Sequence, residues 1–210
     1  MKQDVVAIII QFEKIRLDYK EIYFKNNLSD KKFDGQFINH VDKTIIFLNL
    51  NLQNFADNIL NKQIFDRILP TDSINDYNSV LQNYYTQTKS SFIYNFVSIV
   101  ENYFRNIYNV IFPNNKTRQI TISKILKDIF NYFGIAESDE WNALSILLKI
   151  RNTIHNNGYY CSKNEVINYK RYIITFINGQ PHTAAHFEIL ADILVDIKNL
   201  FLIIHSKIKI

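Results

Sequence analysis

Glycine and proline are scarce in this sequence, with four glycines and three prolines in 210 residues. All-β folds use glycine and proline at many turns, so the scarcity argues against sandwiches and barrels and for long helices with few connections. Cysteine is scarcer still. Cys161 stands alone, which excludes an internal disulfide and a cysteine-built zinc site and fits a reducing, intracellular compartment. No glycine-rich phosphate loop occurs, so a P-loop or Rossmann cofactor role is excluded, and no cofactor is expected. Basic residues are interspersed with acidic ones, without a block of five or more like charges. The net charge of +4 and pI near 9.0 permit a nucleic-acid partner without requiring one. Long apolar runs are missing too. The stretch 5–10 is soon interrupted by Glu13, Lys14 and Arg16, far short of the roughly 20 residues that span a bilayer, and it shows no signal-peptide cleavage pattern. A cytoplasmic protein with no membrane partner is expected.

What the chain does have is apolar and aromatic bulk: 47% hydrophobic residues, with 16 Phe and 13 Tyr, which rules out disorder and suffices for one substantial core. Val5, Ile8, Ile9, Phe12, Ile15, Tyr19, Ile22 and Tyr23 recur at steps of three and four, predicting an amphipathic helix over about 4–26. Ser29 or Asp30 caps the next helix, whose stripe from Phe33 through Phe55 and Ile59 predicts one long element to about Leu69, with Gly35 able to delay its start. Pro70 interrupts, and a third, longer stripe runs from Ile74 to Ile111, with a bend expected near Ser90 and Ser91. A shorter helix follows between a Thr121 cap and a Gly134 terminator, and another from a Ser138 cap to Asn156-Asn157-Gly158. The period then changes. YKRYIITFI at 169–177 is dense in β-branched and aromatic residues, and Asn178-Gly179 is the strongest hairpin signal, predicting two strands within about 166–182. Thr183 caps a last helix carrying Phe187, Leu190, Leu194, Ile197, Phe201 and Ile204. The expected fold is all-α: residues 1–210 as a single domain, an antiparallel bundle of about six helices with a small β-hairpin before the last.

The stretch IRNTIHNNGYY at 150–160 carries the chemistry. Arg151 and His155 are i and i+4, separated by about 40° around a helix axis, so both side chains leave one face. Two readings stand at this point. In one, the pair is a cationic helix terminus, placed where the dipole and free carbonyls favour positive charge. In the other, it handles phosphate: arginine offers a fixed fork of donors, histidine changes charge near neutral pH, and Asn152 and Asn156 add amide groups within a turn. Histidine could then move the proton and arginine stabilise the charged transition state without a metal.

Arg-Asn-Thr-Ile-His, at the end of a late helix in an all-α chain of this size, resembles the signature of the HEPN superfamily (higher eukaryotes and prokaryotes nucleotide-binding). SIVENYFRNIY at 98–108 is similar to an acidic–aromatic stretch found in many such domains. The spacer departs from the family pattern, which is longer than the three residues between Arg151 and His155. The resemblance implies a metal-independent endoribonuclease that forms a homodimer to bring two Arg/His motifs into one cleft. It implies RNA as substrate, with Arg151, His155 and Asn152 catalytic. It also implies a toxin–antitoxin or antiviral-defence setting, with an antitoxin or defence-system partner. The rival, also found in the superfamily, is a non-catalytic helical module that binds a nucleotide or a partner protein.

Other candidates surround the motif. Glu101 is either one half of a surface pair with Arg105 at i+4 or a carboxylate orienting Arg151 or His155 across the bundle; Asn156 is grouped with it as supporting. Tyr159, Tyr160 and Lys163 either stack and hold RNA or pack the hairpin onto the helices. His182 and His186 have the spacing of a metal pair, but Pro181 and the Thr183 cap put His182 outside the helix, and no metal is expected. His40 and His205 lie on helices without partners and read as structural, and Cys161 as a buried or semi-buried thiol.

Overall fold

A computed structural model describes residues 2–115, 119–135, 138–181 and 184–208. Among them are seven α-helices and one two-stranded sheet, the expected all-α bundle with a small hairpin before its last helix. No helix among the described residues is long and apolar enough to cross a membrane.

Helices α1 (Lys2–Lys25) and α2 (Phe33–Asn54) run antiparallel and bury one apolar stripe each. They are fastened by Arg16, which donates to Glu13 at 2.8 Å and across the pair to Asp42 at 2.8 Å. The start of α2 differs from expectation. Lys32, not Ser29 or Asp30, holds the N-cap position, with no side-chain cap, and Gly35 does not delay the helix. Asp30 is used elsewhere: its carboxylate accepts from Tyr23 at 3.1 Å and Asn39 at 3.0 Å, tying the loop to both helices.

The second long stripe is not one straight helix. After Asn54 the chain makes a π-helical turn, Phe55–Ile59, and restarts as α3 (Lys62–Ile68) behind Asn61. Asn61 adopts extended backbone, and its side chain accepts from the Ile64 amide. Asparagine competes with the helix through exactly such local bonds, and three of them (Asn54, Asn58, Asn61) cluster there. Helix α4 (Ile74–Ile111) is continuous through Ser90 and Ser91; its 38 residues make a rod of about 57 Å. Ser73 caps it through the Asp76 amide.

Helix α5 (Ile122–Phe133) begins at Thr121, which accepts from Lys124, and ends at Gly134 in the left-handed region (φ 63°). Helix α6 (Asp139–His155) has Ser138 in the N-cap position but no cap bond from its hydroxyl. Helix α7 (Phe187–Lys207) starts with His186 at the N-cap, later than expected; the Thr183 cap lies outside the described residues, as does His182. One hydrophobic core joins α1, α2, α4, α5, α6, α7 and the hairpin. Phe12 of α1 meets Phe92 of α4 at 5.5 Å and Phe187 of α7 at 5.8 Å, while Tyr103 of α4 sits against Phe37 and Phe201.

The hairpin turns elsewhere than Asn178-Gly179. Strands β1 (Glu165–Tyr169) and β2 (Tyr172–Phe176) pair antiparallel with Tyr169 opposite Tyr172, so Lys170-Arg171 form the loop. Lys170 is left-handed (φ 50°), which costs a non-glycine residue about 1–2 kcal/mol. Tertiary contacts offset that cost. The buried Asp196 of α7 accepts from Tyr169 at 2.6 Å and pairs with Lys170 at 2.9 Å. Burial first, and Asp196 second, push the Tyr169 hydroxyl well above its ordinary pKa. Asn178-Gly179 instead makes a turn after β2, where Gly179 (φ 74°) donates to the Tyr160 carbonyl at 2.7 Å and Gln180 accepts from the Tyr160 amide. The hairpin is thus pinned to α7 on one side and to the segment after α6 on the other.

Candidate functional site

Helix α6 delivers the motif. Its inward face (Ala143, Leu144, Ile146, Leu147, Ile150, Thr153) is fully buried, which fixes the helix rotation and turns Arg151, Asn152 and His155 outward. The helix stops as its sequence prescribes. Asn157 takes the left-handed conformation (φ 56°), and the Gly158 amide returns to the Thr153 carbonyl at 2.9 Å, closing the six-residue loop of a Schellman end. Chain reversal then carries Tyr160, Cys161 and Ser162 back beside the last turn. An open cleft results, lined by Arg151, Asn152, His155 and Asn156 with Ser123, Lys149, Tyr160, Cys161 and Ser162.

Arg151 is held from two directions. Its Nη1 donates to Asn152 Oδ1 at 3.2 Å, and Nη2 lies 3.9 Å from Glu101 Oε1 on α4. The Glu101 oxygen is buried with no hydrogen bond, so the guanidinium charge is what faces it. Glu101 of α4 thus faces Arg151 of α6 across the bundle. Arg105 donates to the Ile120 carbonyl at 3.3 Å. Because Asn152 spends its carbonyl oxygen on Arg151, its amide hydrogens remain as donors at the cleft.

His155 is exposed, and the edge-to-face ring of Tyr94 on α4, 4.7 Å away, supports the imidazole. Lys149 bridges to Glu165 of β1 at 2.7 Å, fixing the hairpin against α6. Among the described residues none that lines the cleft is acidic; the carboxylates of Glu101 and Glu165 are paired with the cleft's Arg151 and Lys149.

Several expectations need correction. The ring of Tyr160 is buried and packs on Phe176 at 5.1 Å, so it is a strut of the hairpin and not a stacking surface for RNA. Its backbone bonds to Gly179 and Gln180, beyond β2, hold the ring there. Tyr159 is exposed, at 53%, and Lys163 is exposed, but neither lines the cleft. Cys161 is exposed, not buried; its thiol donates to the Tyr159 carbonyl at 3.6 Å. His205 has a partner after all, the Asp34 carboxylate at 2.7 Å, which links the end of α7 to the start of α2. His40 is exposed. Ser123, Lys149 and Tyr94 escaped the sequence reading because they come from other turns or elements and carry no motif signal of their own.

These observations define a helical-bundle protein with an exposed Arg-Asn-His cleft at the C-terminal end of α6, its arginine backed by a carboxylate from α4. Comparison with family models, curated proteins and solved structures finds no match to this chain.

Proposed function

We propose that this chain is a metal-independent endoribonuclease of HEPN type. The observation that carries the reading is the convergence of Arg151, Asn152 and His155 on one open cleft, with Glu101 behind the arginine. A cation pair that only terminated a helix needs neither a carboxylate from another helix nor a walled groove in front of it.

In the proposed reaction an RNA phosphodiester lies across the cleft. The 2′-hydroxyl attacks the adjacent phosphorus, and the bond from phosphorus to the 5′ oxygen breaks. His155 accepts the 2′-hydroxyl proton or supplies one to the leaving oxygen. The Arg151 guanidinium, a planar fork of donors, stabilises the charge that builds on the non-bridging oxygens, and Asn152 donates to one of them. The products are a 2′,3′-cyclic phosphate and a 5′-hydroxyl. DNA, lacking the attacking hydroxyl, is not cut. A homodimer that brings two such clefts together belongs to the same reading.

The test is cleavage of several RNAs in EDTA by wild type and by His155→Ala. Cleavage by the wild type, with a loss of about 100-fold or more in the variant, is the expected result for removal of a general acid or base. Undiminished cleavage by the variant, or none by the wild type on any RNA, removes the enzymatic reading and leaves a nucleotide- or protein-binding module.

A further inference from the structure

A second opening adjoins the cleft. Between α5 and α6 lies a slot of about 120 Å³ whose apolar walls include Leu126, Trp141 and Leu148 and which Ser145 also lines. Ser123, Lys149 and Asn152 line both the slot and the Arg/His cleft, so the two openings are neighbours that share a wall. Trp141 is half-buried and held edge-on by Phe130, ring centroids 5.0 Å apart at 70°, which fixes its plane without covering it entirely.

We infer that this slot receives a nucleobase of the RNA next to the scissile phosphate. The inference rests on the ribonuclease reading and adds the substrate's base to its phosphate. Three features of the slot fit a base better than an aliphatic ligand. Its walls are a fixed indole and branched aliphatic side chains, suited to the flat face of a base. Its polar groups are the Ser123 and Ser145 hydroxyls, which both donate and accept, and the Asn152 amide hydrogens, which donate, so together they can meet a base edge. Its boundary with the cleft includes Asn152, a donor on the side where the sugar–phosphate would emerge, and Lys149, whose charge is shared with Glu165 at 2.7 Å. The slot is too small for a folded partner element and shares Asn152 with the cleft that holds Arg151 and His155. Trp141 and Ser145 are therefore specificity residues: they choose the base, while Arg151 and His155 act on the phosphate.

Trp141 is the only tryptophan in the chain, so intrinsic fluorescence reports on the slot directly. The probes are a short 2′-O-methyl oligoribonucleotide, which cannot be cleaved, and the same backbone with abasic positions. The base-bearing probe should change Trp141 emission saturably, and the abasic probe, with the same phosphates, should not. Ser145→Phe, which plugs the slot and leaves Trp141 and the motif in place, should weaken the base-bearing probe about tenfold. The same variant should alter which nucleotide flanks the cut, and Ser145→Ala serves as the folding control. Equal responses to both probes overturn the base pocket. RNA cleavage without any Trp141 response overturns the pocket and leaves the nuclease reading standing. A base-dependent response without RNA cleavage supports the pocket and overturns the nuclease reading instead.

Discussion

Replacing Gly35 by alanine sets two principles against each other, and the structure says which prevails. Gly35 lies in the first turn of α2, buried under the loop from α1. On helix propensity alone, glycine to alanine gains about 0.8–1 kcal/mol. A Cβ built at Gly35, however, lies 2.9 Å from the Ser29 amide nitrogen and closer still to the Ser29 carbonyl carbon and oxygen. Contact between carbon atoms begins near 3.5 Å, so the overlap is severe, and the obstructing atoms are backbone. That backbone is itself engaged, since the Ser29 carbonyl accepts from the Lys32 amide at 2.9 Å. Overpacking of this kind costs about 1–3 kcal/mol, and rigid neighbours put it at the upper end. The balance is a net loss of about 1–2 kcal/mol, or a fall in Tm of about 2–8 °C for a chain of this length. Thermal unfolding followed by circular dichroism, with urea titration as a second probe, measures it. A Gly35→Ala protein as stable as wild type, or more so, would show that the α1–α2 loop yields freely and that the close approach has no energetic weight.

Two further outcomes are expected. Glu101→Gln keeps the shape behind Arg151 but removes the charge that faces it at 3.9 Å. Under the proposed ribonuclease reading, RNA cleavage should fall about tenfold while the unfolding transition stays in place or rises, because a buried neutral amide is cheaper than a carboxylate; single-turnover cleavage at the wild-type rate would show that Glu101 does not position the arginine. Stability should also fall at alkaline pH. Tyr169 has its pKa raised by burial and by Asp196, so the unfolded chain loses that proton first; the contribution is complete below the ordinary tyrosine value of 10.0 and is lost progressively above it. Tyr169→Phe should flatten the fall of the urea midpoint between about pH 9 and 11, and parallel curves for the two proteins would refute the linkage.

The positions of most helices follow from local rules that the sequence carries openly. The apolar period of 3.6, the Thr121 cap, the Gly134 terminator and the Asn157-Gly158 stop are interactions within a few residues, so a linear reading captures them. The motif was legible for the same reason: i and i+4 on a helix share a face wherever that helix is placed. Where elements compete for the same residues, the linear reading fails. Asn178-Gly179 has the better hairpin chemistry, yet the turn forms at Lys170-Arg171, because a buried carboxylate on α7 holds both Tyr169 and Lys170. Local propensity there is worth about a kilocalorie, and a buried hydrogen-bonded anion outweighs it.

By itself, then, the sequence determined an all-α bundle with a small hairpin, the end of α6 and the shared face of Arg151 and His155. Only the tertiary structure decided that Glu101 backs the arginine and Tyr94 the imidazole, that Tyr160 is buried while Cys161 is exposed, and that a tryptophan-walled slot opens beside the motif. The reason is physical: periodicity fixes which side of a helix is buried, but not which helix it is buried against, and a site assembled from several elements exists only once they are packed.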